Sequence, residues 1–135
     1  EMHRLLGIVL ACLAVAHGST VGTTWGLSNP SAFPPRSDAG IAVSSTTATI
    51  LGGAGQLAKS LNDVYASADG GLTWATKTTT ALWPARSGLA ATWVGNRMFV
   101  TGGELPRAGT TDPTPLNDVF YSDDGGSSWQ QATGG

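Results

Sequence analysis

The feature that most constrains this chain is a long internal repeat. The stretch "LNDVYASADGGLTW" at residues 61–74 returns as "LNDVFYSDDGGSSW" at residues 116–129. From the first asparagine to the final tryptophan, matching positions lie 55 residues apart. A chain of 135 residues that repeats fourteen letters so closely is built from equivalent supersecondary units.

The spacing of other repeated residues shows where the units differ in length. Arg36 and Arg86 lie 50 residues apart, as do the two Gly-Gly pairs that begin at positions 52 and 102. The five extra residues lie between those pairs and the repeated stretch, because "AGQLAKS" (54–60) corresponds to "ELPRAGTTDPTP" (104–115). A period of about 50 whose variation is confined to one loop is typical of stacked units.

Each unit is predicted to form four short strands, because β-branched and aromatic residues alternate between clusters of turn residues. The chain is rich in glycine, with 19 residues, which suits a fold with many turns. We therefore predict an all-β fold with one unit over residues 40–76 and a second over 77–135. Residues 19–39, with Trp25, are predicted to hold the last strand of a preceding unit and a linker. The predicted strands are 40–45, 47–53, 62–67 and 72–77 in the first unit, and 88–93, 96–103, 117–122 and 127–133 in the second.

The order of arginine, apolar strand, strand ending in Gly-Gly, "LNDVY" and tryptophan resembles a kelch repeat, the blade of one family of β-propellers. The resemblance covers residues 24–131 and implies two four-stranded antiparallel blades and part of a third. Propellers use about four to eight blades, so this would be an incomplete propeller. We expect either a longer protein, of which this chain is a fragment, or association of copies; the longer protein is the preferred interpretation. Glu1 before Met2 and the end of the chain just after the second copy favour it.

Within the repeat, "SADGGLTW" and "SDDGGSSW" match the pattern S-x-D-x-G-x-x-W, which resembles the Asp-box of sialidase-type propellers. We predict a structural role in the turn between the third and fourth strands. The aspartates would accept hydrogen bonds from turn amides, the serines would add another, the glycines would supply positive φ, and the tryptophans would pack beneath the turn. Calcium binding is the weaker alternative, since it needs six to eight oxygen ligands. The residues concerned are Ser67, Asp69, Gly71, Trp74, Ser122, Asp124, Gly126 and Trp129.

The first 18 residues are predicted to be a secretory signal. Arg4 precedes the apolar run "LLGIVLACLAVA" (5–16), which ends in an A-x-A pattern, so cleavage is expected between Ala16 and Gly18. A signal helix of this length is too short for a stable membrane span, which takes about 20 residues. A buried N-terminal element and a lipidated Cys12 are the alternatives. We expect a secreted or extracellular protein without a disulfide, since Cys12 is the only cysteine.

Composition excludes several functions for this segment. The net charge is −2 with seven Lys and Arg, which offers no basic surface for nucleic acid. Beyond the signal there is no cysteine, and apart from His3 the only histidine is His17 at the edge of the signal, so we expect no metal site, no cofactor and no Ser-His-Asp or Cys-His machinery. Catalytic residues are therefore predicted to be absent.

A binding surface is predicted where the loops after the second and fourth strands emerge on one face. Kelch-like propellers commonly meet partners there, which makes protein or carbohydrate the expected ligand. An exposed Trp83 beside an arginine would suit a protein or a sugar ring. Bridging between units is the structural alternative for Trp83 and Arg86. The ligand-binding candidates are Arg36, Trp83, Arg86, Glu104 and Arg107.

Two functions stay open at this point. The first is a secreted, non-catalytic recognition module. The second is a fragment of a larger extracellular glycoside hydrolase or oxidase whose active residues lie outside this chain. A purely structural repeat is a third possibility that the sequence does not distinguish from these.

Overall fold

The structure is a computed structural model that describes residues 32–106 and 112–133. These residues form β-strands joined by turns, with a short 3₁₀ turn at Gln56–Ala58 and no α-helix. The prediction of an all-β fold is confirmed for the described residues. The predicted signal helix and residues 19–31 lie outside the described residues. The strands are β1 (Gly40–Val43), β2 (Ala48–Ala54), β3 (Ser60–Ser67), β4 (Ala75–Thr78), β5 (Ala90–Val94), β6 (Arg97–Thr101), β7 (Glu104–Leu105), β8 (Thr114–Pro115), β9 (Val119–Ser122) and β10 (Gln130–Thr133).

Two four-stranded antiparallel sheets carry the fold, and each has its strands in simple meander order. The first sheet is β1-β2-β3-β4, and the second is β5-β6-β9-β10. Successive antiparallel strands with short connections are what alternating apolar residues separated by turn residues dictate. The five extra residues of the second unit belong to a segment in which β7 pairs with β8 as a small hairpin.

The two sheets stack face to face. Register assigns each side chain to a side of its sheet, because directly paired residues share a side. We call the side of the first sheet that packs on the second its downstream face; it carries Gly40, Ala42, Thr49, Leu51, Val64 and Ala66. The side of the second sheet that it meets is the upstream face of that sheet, with Ala91, Trp93, Met98, Val100 and Phe120.

The main hydrophobic core lies between these two faces. Leu51, Val64, Met98 and Val100 are each 0% exposed, and they belong to a single cluster of buried side chains. Two of the loops add Trp83 and Trp129 to the same cluster. A single four-stranded sheet could not bury its apolar side alone, so each sheet supplies the cover that the other needs.

The same naming applies to the two remaining faces. The upstream face of the first sheet carries Ile41, Val43, Ala48, Ile50 and Tyr65. The downstream face of the second sheet carries Thr92, Val94, Phe99, Thr101, Val119 and Tyr121. No second described sheet packs on either of these faces.

The antiparallel order sorts the connections to two ends of the stack. The β2–β3, β4–β5 and β6–β9 connections lie at one end, which we call the loop face. The β1–β2, β3–β4, β5–β6 and β9–β10 connections lie at the other end, which we call the turn face. The repeated S-x-D-x-G-x-x-W segments are therefore on the turn face. Four of the ligand-binding candidates are on the loop face, namely Arg36, Trp83, Arg86 and Glu104.

Candidate functional site

The loop face is anchored by Arg86, which comes just before the second sheet. Its backbone N–H donates to Leu61 O at 3.0 Å and its carbonyl accepts from Gly53 N at 2.9 Å, so its backbone joins the first sheet. Its side chain reaches into the second sheet, where Nη1 and Nη2 donate to the two oxygens of Asp118 at 2.5 and 2.8 Å. Nη1 also donates to Gly102 O at 2.9 Å. One residue thereby ties both sheets together at this end.

Burial makes this ion pair a structural element. The Arg86 side chain is 0% exposed and that of Asp118 is 13% exposed. The hydrogen bonds from Arg86 hold the pKa of Asp118 below its ordinary value, although burial opposes the shift. A bidentate guanidinium–carboxylate pair suits such a site because both charges are compensated in a fixed geometry.

The first sheet contains an equivalent pair. Arg36 Nη1 and Nη2 donate to the two oxygens of Asp63 at 2.6 and 3.0 Å, and Nη1 donates to Gly52 O at 3.0 Å. The Arg36 side chain is 0% exposed and that of Asp63 is 12% exposed. The arrangement repeats with the same spacing as the sequence, 50 residues for the arginine and 55 for the aspartate.

An aromatic side chain accompanies each arginine. The Arg86 guanidinium carbon lies 6.0 Å from the centre of the Trp83 ring, and that of Arg36 lies 5.5 Å from Phe33. Trp83 packs edge-on against Trp129 with ring centres 5.9 Å apart. "FPPR" and "WPAR" are therefore equivalent segments, and Trp83 is the second copy of Phe33.

These contacts place three of the ligand-binding candidates inside the protein. Trp83 and Arg86 are 0% exposed and Arg36 is 7% exposed, so none of them meets solvent as a surface anchor would. The contacts of Trp83 and Arg86 instead fit the bridging role that was their alternative. Asp63 and Asp118 were missed as partners of the arginines; the signal available was the Asp that follows Asn in both copies.

The exposed part of the loop face consists of loop tips. Leu57 is fully exposed and adopts a left-handed conformation with φ of 57° and ψ of 32°. Leu82 in the β4–β5 connection is 66% exposed. Glu104 is exposed, and its backbone pairs with Ser87. Arg107, the remaining candidate, lies outside the described residues.

The β4–β5 connection is held down by Asn62. The Asn62 side-chain amide donates to Ala81 O at 3.1 Å and to Trp83 O at 3.2 Å. The backbone of Ala81 returns a hydrogen bond to Asn62 O at 2.9 Å. The loop that presents Leu82 therefore has a fixed backbone, and Asn62 is a second residue of the repeat whose role the sequence did not reveal.

On the turn face, the β3–β4 connection forms a compact hydrogen-bonded turn. Gly71 N–H donates to Ser67 Oγ at 2.8 Å, and Ser67 Oγ–H donates to Asp69 Oδ1 at 2.8 Å. Asp69 also accepts from the amide and the hydroxyl of Thr73 at 2.9 and 2.5 Å. Trp74 Nε1–H donates to Gly71 O at 3.1 Å, which closes the turn over the indole.

The β9–β10 connection repeats this turn. Gly126 N–H donates to Ser122 Oγ at 2.8 Å, and Asp124 accepts from the amide and the hydroxyl of Ser128 at 2.8 and 2.6 Å. Trp129 Nε1–H donates to Gly126 O at 3.1 Å. The carboxylates thus satisfy amides that no strand partner reaches, which is the turn role that the sequence pattern predicts for them.

These hydrogen bonds perturb both carboxyl groups. The hydroxyl and the amide of Thr73 and the hydroxyl of Ser67 lower the pKa of Asp69 from 3.8 to about 2. The hydroxyl and the amide of Ser128, together with the hydroxyl of Ser122, lower the pKa of Asp124 from 3.8 to about 2. Donors aimed at the ionised form explain the direction in both turns.

The described residues offer little further chemistry. A groove of about 260 Å³ runs beside the first turn and is lined in part by Ser67, Trp74 and Lys77. Within residues 32–106 and 112–133, no three His, Cys, Asp or Glu side chains are grouped to hold a metal ion. Over the same residues, no helix has the length and apolar character that a membrane crossing requires.

Comparisons with known proteins add no identification. No protein-family model matches the chain. No curated protein matches it significantly.

Proposed function

We propose that this chain is a pair of kelch-like blades of a β-propeller that enters the secretory pathway and binds a protein partner through its loop face. The support for the propeller is the equivalence of the two sheets. Each has meander order, a buried arginine–aspartate pair at one end and a serine–aspartate–tryptophan turn at the other. Stacked copies of one four-stranded unit are how propellers are built.

The observation that carries the binding function is an exposed apolar loop tip on a fixed frame. Leu57 is fully exposed in a left-handed conformation that is unfavourable for a residue with a side chain. Leu82 is 66% exposed on a loop that Asn62 holds in place. Exposed residues on rigidly supported loops are typical of binding surfaces, because little conformational entropy is lost on association.

The exposed side chains favour a protein over a glycan. A sugar ring is commonly bound by stacking on an exposed aromatic ring, but Trp83, the aromatic candidate of this face, is 0% exposed. Leu57 and Leu82 offer aliphatic contacts, which suit an apolar patch on a protein partner. The proposal therefore narrows the expected ligand class to protein.

The contacts of the carboxylates support a non-catalytic role for this segment. Five aspartates of the described residues accept hydrogen bonds from arginines or turn groups that hold them in place. A general acid or base would need a side chain free to exchange a proton with substrate. The five are Asp63, Asp69, Asp118, Asp123 and Asp124.

The binding proposal is tested by probing arrays of extracellular proteins and of glycans with the full chain. Leu82→Asp is the test variant, and Leu72→Asp is the matched control because Leu72 is 62% exposed on the turn face. We expect protein ligands whose signal is lost in Leu82→Asp and kept in Leu72→Asp. Equal signal in the two variants, or binding to glycans alone, would contradict the proposal.

The proposed entry into secretion depends on residues 1–18. Fused to a reporter that lacks its own signal, this segment should carry the reporter into the medium with its N-terminus cut between Ala16 and Gly18. A reporter that stays inside the cell would refute this part of the proposal.

A further inference from the structure

The downstream face of the second sheet is uncovered at positions that are buried in the first sheet. In the first sheet, Thr49, Leu51 and Val64 are 0% exposed beneath the second sheet. Their counterparts one repeat later are Phe99, Thr101 and Val119. Thr101 is exposed, and Phe99 and Val119 are half-buried. The downstream face of the second sheet is therefore equivalent to a buried interface of the first sheet, but no described residue covers it.

This surface is apolar at its centre and polar at its rim. Phe99 and Tyr121 are paired across β6 and β9, with ring centres 6.3 Å apart, and Val94 is 63% exposed. Arg97 lies 4.2 Å from the centre of the Tyr121 ring and forms an exposed bidentate pair with Asp123. An apolar centre with a charged rim is the usual anatomy of a protein interface.

Aromatic side chains on the upstream face of the first sheet are less buried than their counterparts in the second sheet. Tyr65 and Trp74 are half-buried, whereas their counterparts Phe120 and Trp129 in the second sheet are 4% and 6% exposed. Ala48 and Ile50 are buried, but in a smaller cluster with partly buried neighbours. The upstream face of the first sheet thus exposes apolar surface at positions that the first sheet covers on the upstream face of the second.

The sizes of the side chains indicate which surface fits the open face. On the two faces that meet within the chain, at the turn-face end of the strands, the first sheet carries a pair of small residues and the second sheet carries a pair of large ones. The small pair is Thr49 and Ala66, and the large pair is Trp93 and Met98.

On the two outer faces, at the same turn-face end of the strands, the large pair lies on the second sheet and the small pair on the first. The counterparts of Thr49 and Ala66 are the large Phe99 and Tyr121. The counterparts of Trp93 and Met98 are the small Val43 and Ala48, which are paired across β1 and β2. A large face would therefore meet a small one again, which keeps the space between the sheets filled.

We propose that the downstream face of the second sheet binds the upstream face of the first sheet in another copy of this chain. The contact continues the stacking that the two sheets show within one chain. It is heterologous, so repetition closes a ring if the rotation per sheet allows it. Propellers of about four to eight blades would then need about two to four copies. This inference rests on the propeller part of the proposed function and is independent of the loop-face ligand.

The test uses the full chain and variants that each block one face. Phe99→Lys places a charge on the downstream face of the second sheet, and Val43→Lys places one on the upstream face of the first. Leu82→Lys is the control, because Leu82 is exposed on the loop face. Sedimentation velocity over a range of concentrations measures the molar mass of each.

The expected result is association of the wild-type chain and of Leu82→Lys, with Phe99→Lys and Val43→Lys each monomeric. A mixture of the two monomeric variants should form a one-to-one dimer that grows no further, because each variant keeps the face that the other has lost. This recovery also shows that both variants are folded.

Other outcomes overturn the inference. A wild-type chain that is monomeric at every concentration would refute self-association, and the face would then have a different occupant. A mixture that stays monomeric would refute the head-to-tail arrangement. The ligand test with Leu82→Asp is independent of these results, so failure of assembly and failure of ligand binding are distinguishable.

Discussion

Removing the carboxylate of Asp118 should destabilise the protein strongly, because it leaves a buried charge. In Asp118→Ala, the Arg86 guanidinium loses two hydrogen bonds of 2.5 and 2.8 Å and keeps those to Gly102 O and Pro84 O. Each charged hydrogen bond contributes about 1.5–3 kcal/mol. The Arg86 side chain is 0% exposed, so water does not replace the lost acceptor. We expect the free energy of unfolding to fall by about 3–5 kcal/mol, the range for breaking a buried ion pair.

Urea denaturation followed by tryptophan fluorescence measures this loss as a shift of the midpoint at constant slope. Asp123→Ala is the matched control, because it breaks a bidentate pair whose side chains are 45% and 52% exposed. Such a pair contributes little, so the midpoint of the control should barely move. The double variant Arg86→Met/Asp118→Leu should recover much of the loss, because it removes both charges together.

Equal midpoints for Asp118→Ala and Asp123→Ala would show that burial of the Arg86 charge does not determine the stability that is lost. So would a double variant as unstable as the single one, since the cost would then not arise from an unpaired charge. The repeat supplies an internal replicate: Asp63→Ala removes the same contact from the first sheet, with a carboxylate that is 12% exposed. The decrease in the free energy of unfolding caused by Asp63→Ala should agree with that caused by Asp118→Ala within about 1 kcal/mol.

Three further predictions concern the turn face and the core. Turn hydrogen bonds lower the pKa of Asp69 and Asp124 from 3.8 to about 2, so the two carboxylates stabilise the folded protein fully above pH 3.8 and lose this contribution as the pH falls through 2. Asp124→Asn should therefore make the free energy of unfolding depend less on pH between 3.8 and 2, as measured by urea titrations at a series of pH values. The buried Thr49 hydroxyl has no hydrogen-bond partner among the residues that the structure describes, so Thr49→Val should raise the free energy of unfolding by about 1 kcal/mol, and a loss of stability in urea melts would contradict this. Gly125→Ala should cost about 1–2 kcal/mol for its positive φ, whereas Gly126→Ala should cost more in the same melts because its Cβ would lie 2.8 Å from a core valine; equal costs would refute that contact.

Much of the fold could be predicted from the sequence because the repeat and the strand pattern agree. Every strand of the two four-stranded sheets overlaps a predicted strand. The first sheet nevertheless ends in a shorter strand than expected, since β4 begins at Ala75 rather than at Leu72. The reason is that the amide of Thr73 donates to Asp69 within the turn, which leaves no ladder partner for that residue.

The small hairpin of β7 and β8 was not predicted. It has two residue pairs, and one of its strands contains Pro115. Proline lacks the N–H that a ladder needs and lowers the strand signal of any short run. The pairing of Glu104 with Pro115 depends on contacts between distant parts of the loop, which a local pattern does not encode.

The end of the stack at which the loops lie could be predicted from the sequence, but the burial of the arginines could not. The loops do emerge at one end of the stack, yet Arg36 and Arg86 point inward to aspartates. Arginine is mostly exposed in proteins, so burial is not the default expectation for it. The 50- and 55-residue offsets apply to the arginines and to Asp63 and Asp118, and read together they would have indicated two paired sites.

Two copies of one sheet bury each other in this fold, and a single contact between them can be measured. Val64 of the first sheet and Met98 of the second both lie against Gly126, with Val64 Cγ1 and Met98 Cε 2.8 and 3.0 Å from the point that a Cβ would occupy. An isotope-edited NOE spectrum of the Phe99→Lys chain should show cross-peaks from the Met98 methyl group to the Val64 methyl groups and to the Gly126 α-protons. If those cross-peaks are absent while cross-peaks within each sheet are present, the two sheets do not stack and the account is contradicted.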